Sequence, residues 1–133
     1  MQTRGYDLVA FPLRKCRTME ITLDLLKYIA KHGQDEAPRE ACGVLSGGMA
    51  IRCVNTSLWP TKRFEMDPMV WIDYDVEGFY HSHPEGGQGF SEQDLQMAKF
   101  LCIPSIVYIV ATDTVEILSK DGSFLRIEKI GEK

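Results

Sequence analysis

A chain of 133 residues with 44% hydrophobic and 26% charged side chains has the size and composition of one globular domain, which excludes a disordered chain. Its 15 Lys and Arg against 19 Asp and Glu leave a net charge of −4, which argues against non-specific nucleic-acid binding, because that binding draws its affinity from basic side chains on phosphates. The longest apolar run, Ile103 to Ala111, is too short to span a bilayer, and Met1 to Tyr6 lacks the apolar core of a secretory signal, so the expectation is a cytoplasmic protein with no membrane or nucleic-acid partner.

In chain order, Tyr6 to Leu13 reads as a strand that Pro12 confines to a sheet edge. Thr22 caps a helix with Asp24 in its first turn, and Gly33 reads as its stop. His32 sits where a cation favours a helix C-terminus and receives no catalytic role. Gln34 to Arg39 reads as a polar loop and Ala41 to Leu45 as a buried strand. Ser46-Gly47-Gly48 then turns the chain into a second strand over Ala50 to Asn55. Asn55 to Pro68 is irregular, with Pro60 and Pro68 opposing regular structure. Val76 to His83 returns to strand, and Glu85 to Gly89 is a Gly-rich loop. Ser91 opens a helix that runs to about Leu101 and is ended by Pro104. Ser105 to Thr112 is an apolar strand, and Val115 to Leu118 pairs with Phe124 to Ile130 around Asp121-Gly122. Cys16, Cys42, Cys53 and Cys102 contain no CxxC pair and are expected as reduced thiols.

The chemistry-bearing stretch is His81-Ser82-His83-Pro84, followed by Ser91 and Asp94. Alternate side chains of a strand share a face, so His81 and His83 can reach one metal ion from a strand end that Pro84 terminates. Asp94 stands in the first turn of the next helix, where it can cap that helix or fold back towards the imidazoles. Two neutral imidazoles and one carboxylate leave a tetrahedral zinc ion an open position, which marks a catalytic site. Such a site needs a base that is not a ligand. Glu40, at the edge of the first core strand, is the candidate, and the Ser91 hydroxyl can donate to a tetrahedral oxyanion.

At these residues the sequence resembles the JAMM (MPN+) metallopeptidases, whose signature is an upstream Glu, then HxH, seven residues, and SxxD. Glu40, His81, His83, Ser91 and Asp94 occupy every position, and Pro84 matches the family's Pro. The resemblance covers roughly Ile21 to Leu118. It implies a single α+β domain over residues 21–133, a mixed twisted β-sheet flanked by helices, after an N-terminal extension of residues 1–20. It also implies one Zn²⁺ held by His81, His83 and Asp94, with Glu40 as acid/base and Ser91 as oxyanion donor.

A finer resemblance runs through Cys53 to Thr56, Pro60, Phe64, Met66-Asp67-Pro68 and Trp71, which are similar to the JAMM domain of phage tail-assembly proteins. Those proteins continue into a cysteine-peptidase domain, before which this chain stops, and their helix after Asp-Pro has only Met69 to Glu77 available here. The leading expectation is therefore a zinc peptidase or isopeptidase acting on a protein substrate in tail assembly, in the host cytoplasm. One alternative is a bacterial JAMM peptidase that processes a ubiquitin-like sulfur-carrier protein. Another is a structural zinc-binding tail component without catalysis. A Cys42 nucleophile with His81 as base is the least favoured, because an apolar strand disfavours a thiolate. Trp59 to Phe64 and the Gly86 to Gly89 loop are expected as cleft walls.

Overall fold

The computed structural model describes residues 20–85, 90, 92–120 and 123–131. The expected strand Tyr6–Leu13, the Gly86–Gly89 loop, Ser91 and the Asp121-Gly122 turn lie outside the described residues. Helix α1 (Leu23–Glu36) leads into the hairpin β1 (Cys42–Ser46) and β2 (Met49–Cys53). A long irregular segment and the short helix α2 (Val70–Asp73) precede β3 (Gly78–His83), α3 (Glu92–Leu101), β4 (Ser105–Ile109), β5 (Thr114–Leu118) and β6 (Phe124–Glu128). The strands form one six-stranded sheet in the order β2-β1-β3-β4-β5-β6. All neighbours are antiparallel except β3 and β4, the parallel pair that the α3 crossover connects. The sheet is thus mixed and carries helices, as expected for an α+β domain.

Local chemistry explains the first elements. The Thr22 side chain accepts a hydrogen bond from Leu25 N (3.1 Å) and caps α1. Leu25, Leu26, Ile29 and Ala30 recur on one helix face and are buried against Leu45, Tyr80, Ile106, Tyr108, Val115 and Ile117 of the sheet. Burial of each Leu or Ile there contributes roughly 1.5–3 kcal/mol. Gly47 and Gly48 both take positive φ (62° and 78°), the backbone of a two-residue hairpin turn.

Two expectations for α1 are corrected. Gly33 does not stop the helix, which continues to Glu36. A Cβ at Gly33 would lie 2.7 Å from the Tyr108 ring and 3.1 Å from Ser82 Cβ, so glycine is there to let α1 approach β3 and β4 closely. His32 is accordingly inside the packed part of the helix and is buried. Its Nδ1 is 2.8 Å from the Tyr80 hydroxyl, and burial first, then Arg52, lowers its pKa, so it is a neutral core residue rather than a cation at the helix end. Cys42 and Cys53 are free thiols, but Cys102 is disulfide-bonded, against the expectation of a fully reduced set.

The strands are also trimmed relative to the sequence reading. β4 ends at Ile109 because the chain turns at Asp113 (φ 56°), whose carboxylate accepts from the Tyr108 hydroxyl (2.7 Å) and from Gly131 N (2.7 Å). The segment after Asp-Pro does form a helix, shortened to the four residues of α2.

The sheet's second face carries a smaller core of Val44, Val70, Val76, Phe79 and Ile103. The alternation of β3 divides its residues between the two faces. Tyr80 and Ser82 face α1, while Phe79, His81 and His83 face the other side.

Candidate active site

Strand β3 delivers its two histidines to one cleft. His81 is buried, and its Nε2 lies 3.3 Å from His83 Nε2. Asp94, in the first turn of α3, brings Oδ2 to 3.7 Å from His81 Nε2. Two atoms each about 2.0–2.1 Å from one tetrahedral ion are about 3.3 Å apart, so these separations are close to the edges of such a polyhedron. Among the described residues, no group of three or more His, Cys, Asp or Glu side chains stands close enough together to hold a metal ion as the side chains lie. The two close pairs share His81 Nε2, so His83 and Asp94 each stand beside it in the same cleft.

Burial keeps His81 neutral. Desolvation pushes its pKa well below the ordinary imidazole value, with Asp94 opposing and His83 assisting. A neutral imidazole with an unprotonated Nε2 is the form that can donate to a metal, and its proton then sits on Nδ1. That Nδ1 is buried without a hydrogen-bond partner. The ring is instead held by Phe64, which stacks on it with centroids 4.5 Å apart and planes 22° apart. Ligating histidines are usually oriented by a hydrogen bond from the second nitrogen, and here ring stacking takes that orienting role.

Glu40 lines the same cleft, two residues before β1, and is only 7% exposed. Burial, reinforced by the charge of Asp94, raises its carboxyl to about 7. Its backbone is fixed at both ends of the peptide unit: Glu40 N donates to Pro60 O (2.7 Å) and Glu40 O accepts from Asn55 Nδ2 (2.9 Å). A carboxyl that titrates near neutrality, on a fixed backbone, is suited to exchanging protons.

Asn55 organises this side of the cleft. Its Nδ2 also donates to Arg63 O (3.0 Å), and its Oδ1 accepts from Ser57 N (3.0 Å) and Glu65 N (3.2 Å). One buried amide therefore ties residues 57–65 to Glu40 and sets the position of Phe64. Asn55 belongs to a sequence motif, but this function is not legible there, because its partners are backbone groups that no pattern displays. Asn55→Ala would strand several of those groups, each at about 1–3 kcal/mol if buried. The expected result is a loss of more than about 2 kcal/mol in urea unfolding. A loss under about 0.5 kcal/mol would show that the loop stands without it.

The cleft has a volume of about 590 Å³ and is walled by Lys62, Arg63, Phe64 and Met97 besides the residues above. The expectation of a wall from Trp59 to Phe64 is met at its C-terminal end, while Trp59 itself is 60% exposed. Phe79 and Met97 are wall residues that the sequence reading did not name. Cys42 is fully buried and its thiol is pushed up to about 12, chiefly by burial, so it offers no thiolate at neutral pH. Of the five expected site residues, Glu40, His81, His83 and Asp94 converge on this cleft, and Ser91 lies outside the described residues.

The sequence profile of the prokaryotic homologs of the JAB domain matches residues 22–124. A desampylase of Haloferax volcanii is 29% identical over 135 aligned positions, covering 86% of this chain and 90% of its own. The fold is similar to that of a JAB1/MPN domain protein from Archaeoglobus fulgidus, with 22% identity, a TM-score of 0.52, and coverage of 84% of this chain and 95% of that one. It is equally similar to a structure described as "JAMM: A Metalloprotease-like Zinc Site in the Proteasome and Signalosome", with 23% identity, a TM-score of 0.52, and coverage of 84% and 97%.

Proposed function

We propose that this chain, which belongs to the prokaryotic homologs of the JAB domain, is a zinc-dependent isopeptidase that releases a ubiquitin-like protein from its conjugates. The observation that carries the chemistry is the approach of His81 Nε2 to His83 Nε2 (3.3 Å) and Asp94 Oδ2 (3.7 Å) in a cleft shared with buried Glu40. Two neutral imidazoles and a carboxylate suit a catalytic zinc ion, and His81, His83 and Asp94 would hold it. When bound, zinc supplies an activated water and polarises the scissile carbonyl.

The chain's own groups do the rest. His81 and His83 present Nε2 from one face of β3, and Phe64 keeps the His81 ring in plane for it. Glu40, with its carboxyl near 7, takes a proton from the attacking water and hands it to the leaving amine. Ser91 joins the proposal through its place in the SxxD sequence, as the donor to the tetrahedral oxyanion.

The choice of substrate follows from the desampylase relative, an enzyme named for removing a ubiquitin-like modification. That relation favours the ubiquitin-like reading over tail assembly. The residues behind the tail-assembly reading have structural work in this fold: Asn55 ties the loop, Phe64 supports His81, and Asp67 Oδ1 accepts from Met69 N at the start of α2 (2.9 Å). A purely structural zinc site would have no use for a buried carboxyl such as Glu40 beside the ligands.

The test is incubation of the zinc-loaded chain with a lysine-linked conjugate of a ubiquitin-like protein ending in Gly-Gly. Mass spectrometry should show the intact modifier with its free Gly-Gly carboxylate and an unmodified lysine. An uncleaved conjugate in the presence of bound zinc would contradict the proposal.

A further inference from the structure

The mouth of the cleft carries a feature that the hydrolytic chemistry leaves unused. Lys62 and Arg63 are adjacent, exposed and part of the cleft wall. The ion pairs of the described residues leave both without a carboxylate partner. That is uneconomical in a chain of net charge −4, where acidic side chains are in excess. Glu65 is the single acidic residue between Leu58 and Glu65, so the segment itself is net positive.

The segment is also held in shape before any partner arrives. Lys62 N and Arg63 N both donate to Trp59 O (2.9 Å each), which closes a tight turn. Asn55 holds Arg63 O from beneath, and the Arg63 guanidinium lies over the Trp59 ring, 5.7 Å from its centroid. Next to the cations, Leu58 and Trp59 are 84% and 60% exposed. Arginine and tryptophan on a preorganised turn are the residue types that anchor protein–protein contacts, with the cations selecting the sign of the partner.

We infer that the Leu58–Arg63 turn is a substrate-docking element that recognises carboxylate side chains of the modifier protein lying just upstream of the residues in the cleft. The inference rests on the proposed isopeptidase reading for its substrate class. It deepens that reading by making acidity upstream of the cleavage point a determinant of specificity.

The test uses the full chain and two fluorescein-labelled peptides that end in Gly-Gly, one with Asp and Glu upstream and its match with Asn and Gln. Both are product-like, so binding is read by fluorescence anisotropy without turnover. The wild-type chain should bind the acidic peptide about 5- to 10-fold more tightly at low salt, with the preference shrinking as salt screens it. The Lys62→Ala/Arg63→Ala double variant should lose the preference, and Lys62→Glu/Arg63→Glu should invert it. Equal or undetectable binding of the two peptides by the wild type overturns the inference, as does a preference that survives charge reversal. A preference that behaves as expected in a chain that leaves the conjugate intact would remove the isopeptidase reading while the docking element stands.

Discussion

Glu40→Gln is expected to lower kcat by about 10²–10⁴-fold while zinc binding is retained, because the proposed mechanism makes Glu40 a general base that is not a ligand. The same substitution should stabilise the zinc-free protein above neutral pH. Burial raises the Glu40 carboxyl from 4.5 to about 7, so folding favours its protonated form. The stability this group contributes is present below about pH 4.5 and is lost as pH rises through about 7. At pH 8 the buried carboxylate therefore costs about 3 kcal/mol relative to the acid limit, and an uncharged Gln of the same shape avoids that cost. His81 acts in the opposite direction, since burial lowers its pKa and the unfolded chain takes up its proton below about pH 6.5. Wild-type stability should consequently vary little where the two overlap, and the variant should become more stable as pH rises towards 6.5. Urea unfolding of both proteins from pH 5 to pH 8 measures this. A variant that kept full activity, or that was less stable than wild type at pH 8, would remove Glu40 from the role assigned to it.

His83→Ala and Asp94→Asn are expected to abolish both zinc binding and conjugate cleavage, and a chelator should do the same to the wild type. These two positions are better tests than His81. His83 and Asp94 are only partly buried, whereas His81 is enclosed and stacked on Phe64, so its removal would also open a packing defect. Zinc that binds the folded chain should raise wild-type stability by about 2.7 kcal/mol at a free concentration 100-fold above its dissociation constant. Neither variant should respond. A thermal scan with and without zinc, together with metal content by mass spectrometry, distinguishes loss of the ligand set from loss of the fold. Wild-type cleavage that persisted after complete chelation would exclude a metal-dependent reaction.

The parts of this molecule that could be read from sequence are those set by local periodicity. His81 and His83 share a face because strand alternation places them there, and the Gly47-Gly48 turn announces the β1–β2 hairpin. Thr22 caps α1 through a contact only three residues away. What was misread depends on distant neighbours. Gly33 looks like a helix stop until Tyr108 and Ser82 are seen to need the space a Cβ would fill. The same misplaced helix end puts His32 where a cation is favoured, when it is a buried, neutral partner of the Tyr80 hydroxyl. The spacing of the motif could nominate Glu40 but could not show its raised pKa. That property arises from burial in the folded cleft and from Asp94, which α3 brings close. Phe64 likewise gains its meaning only from the ring it covers.

Anomalous diffraction at the zinc edge, from crystals grown with one equivalent of zinc, addresses the central claim most directly. The predicted result is a single peak about 2.0–2.2 Å from His81 Nε2, His83 Nε2 and an Asp94 carboxylate oxygen, with the Glu40 carboxylate in the cleft but beyond bonding distance. A peak elsewhere on the molecule, or one that Glu40 ligates in place of Asp94, would contradict the account.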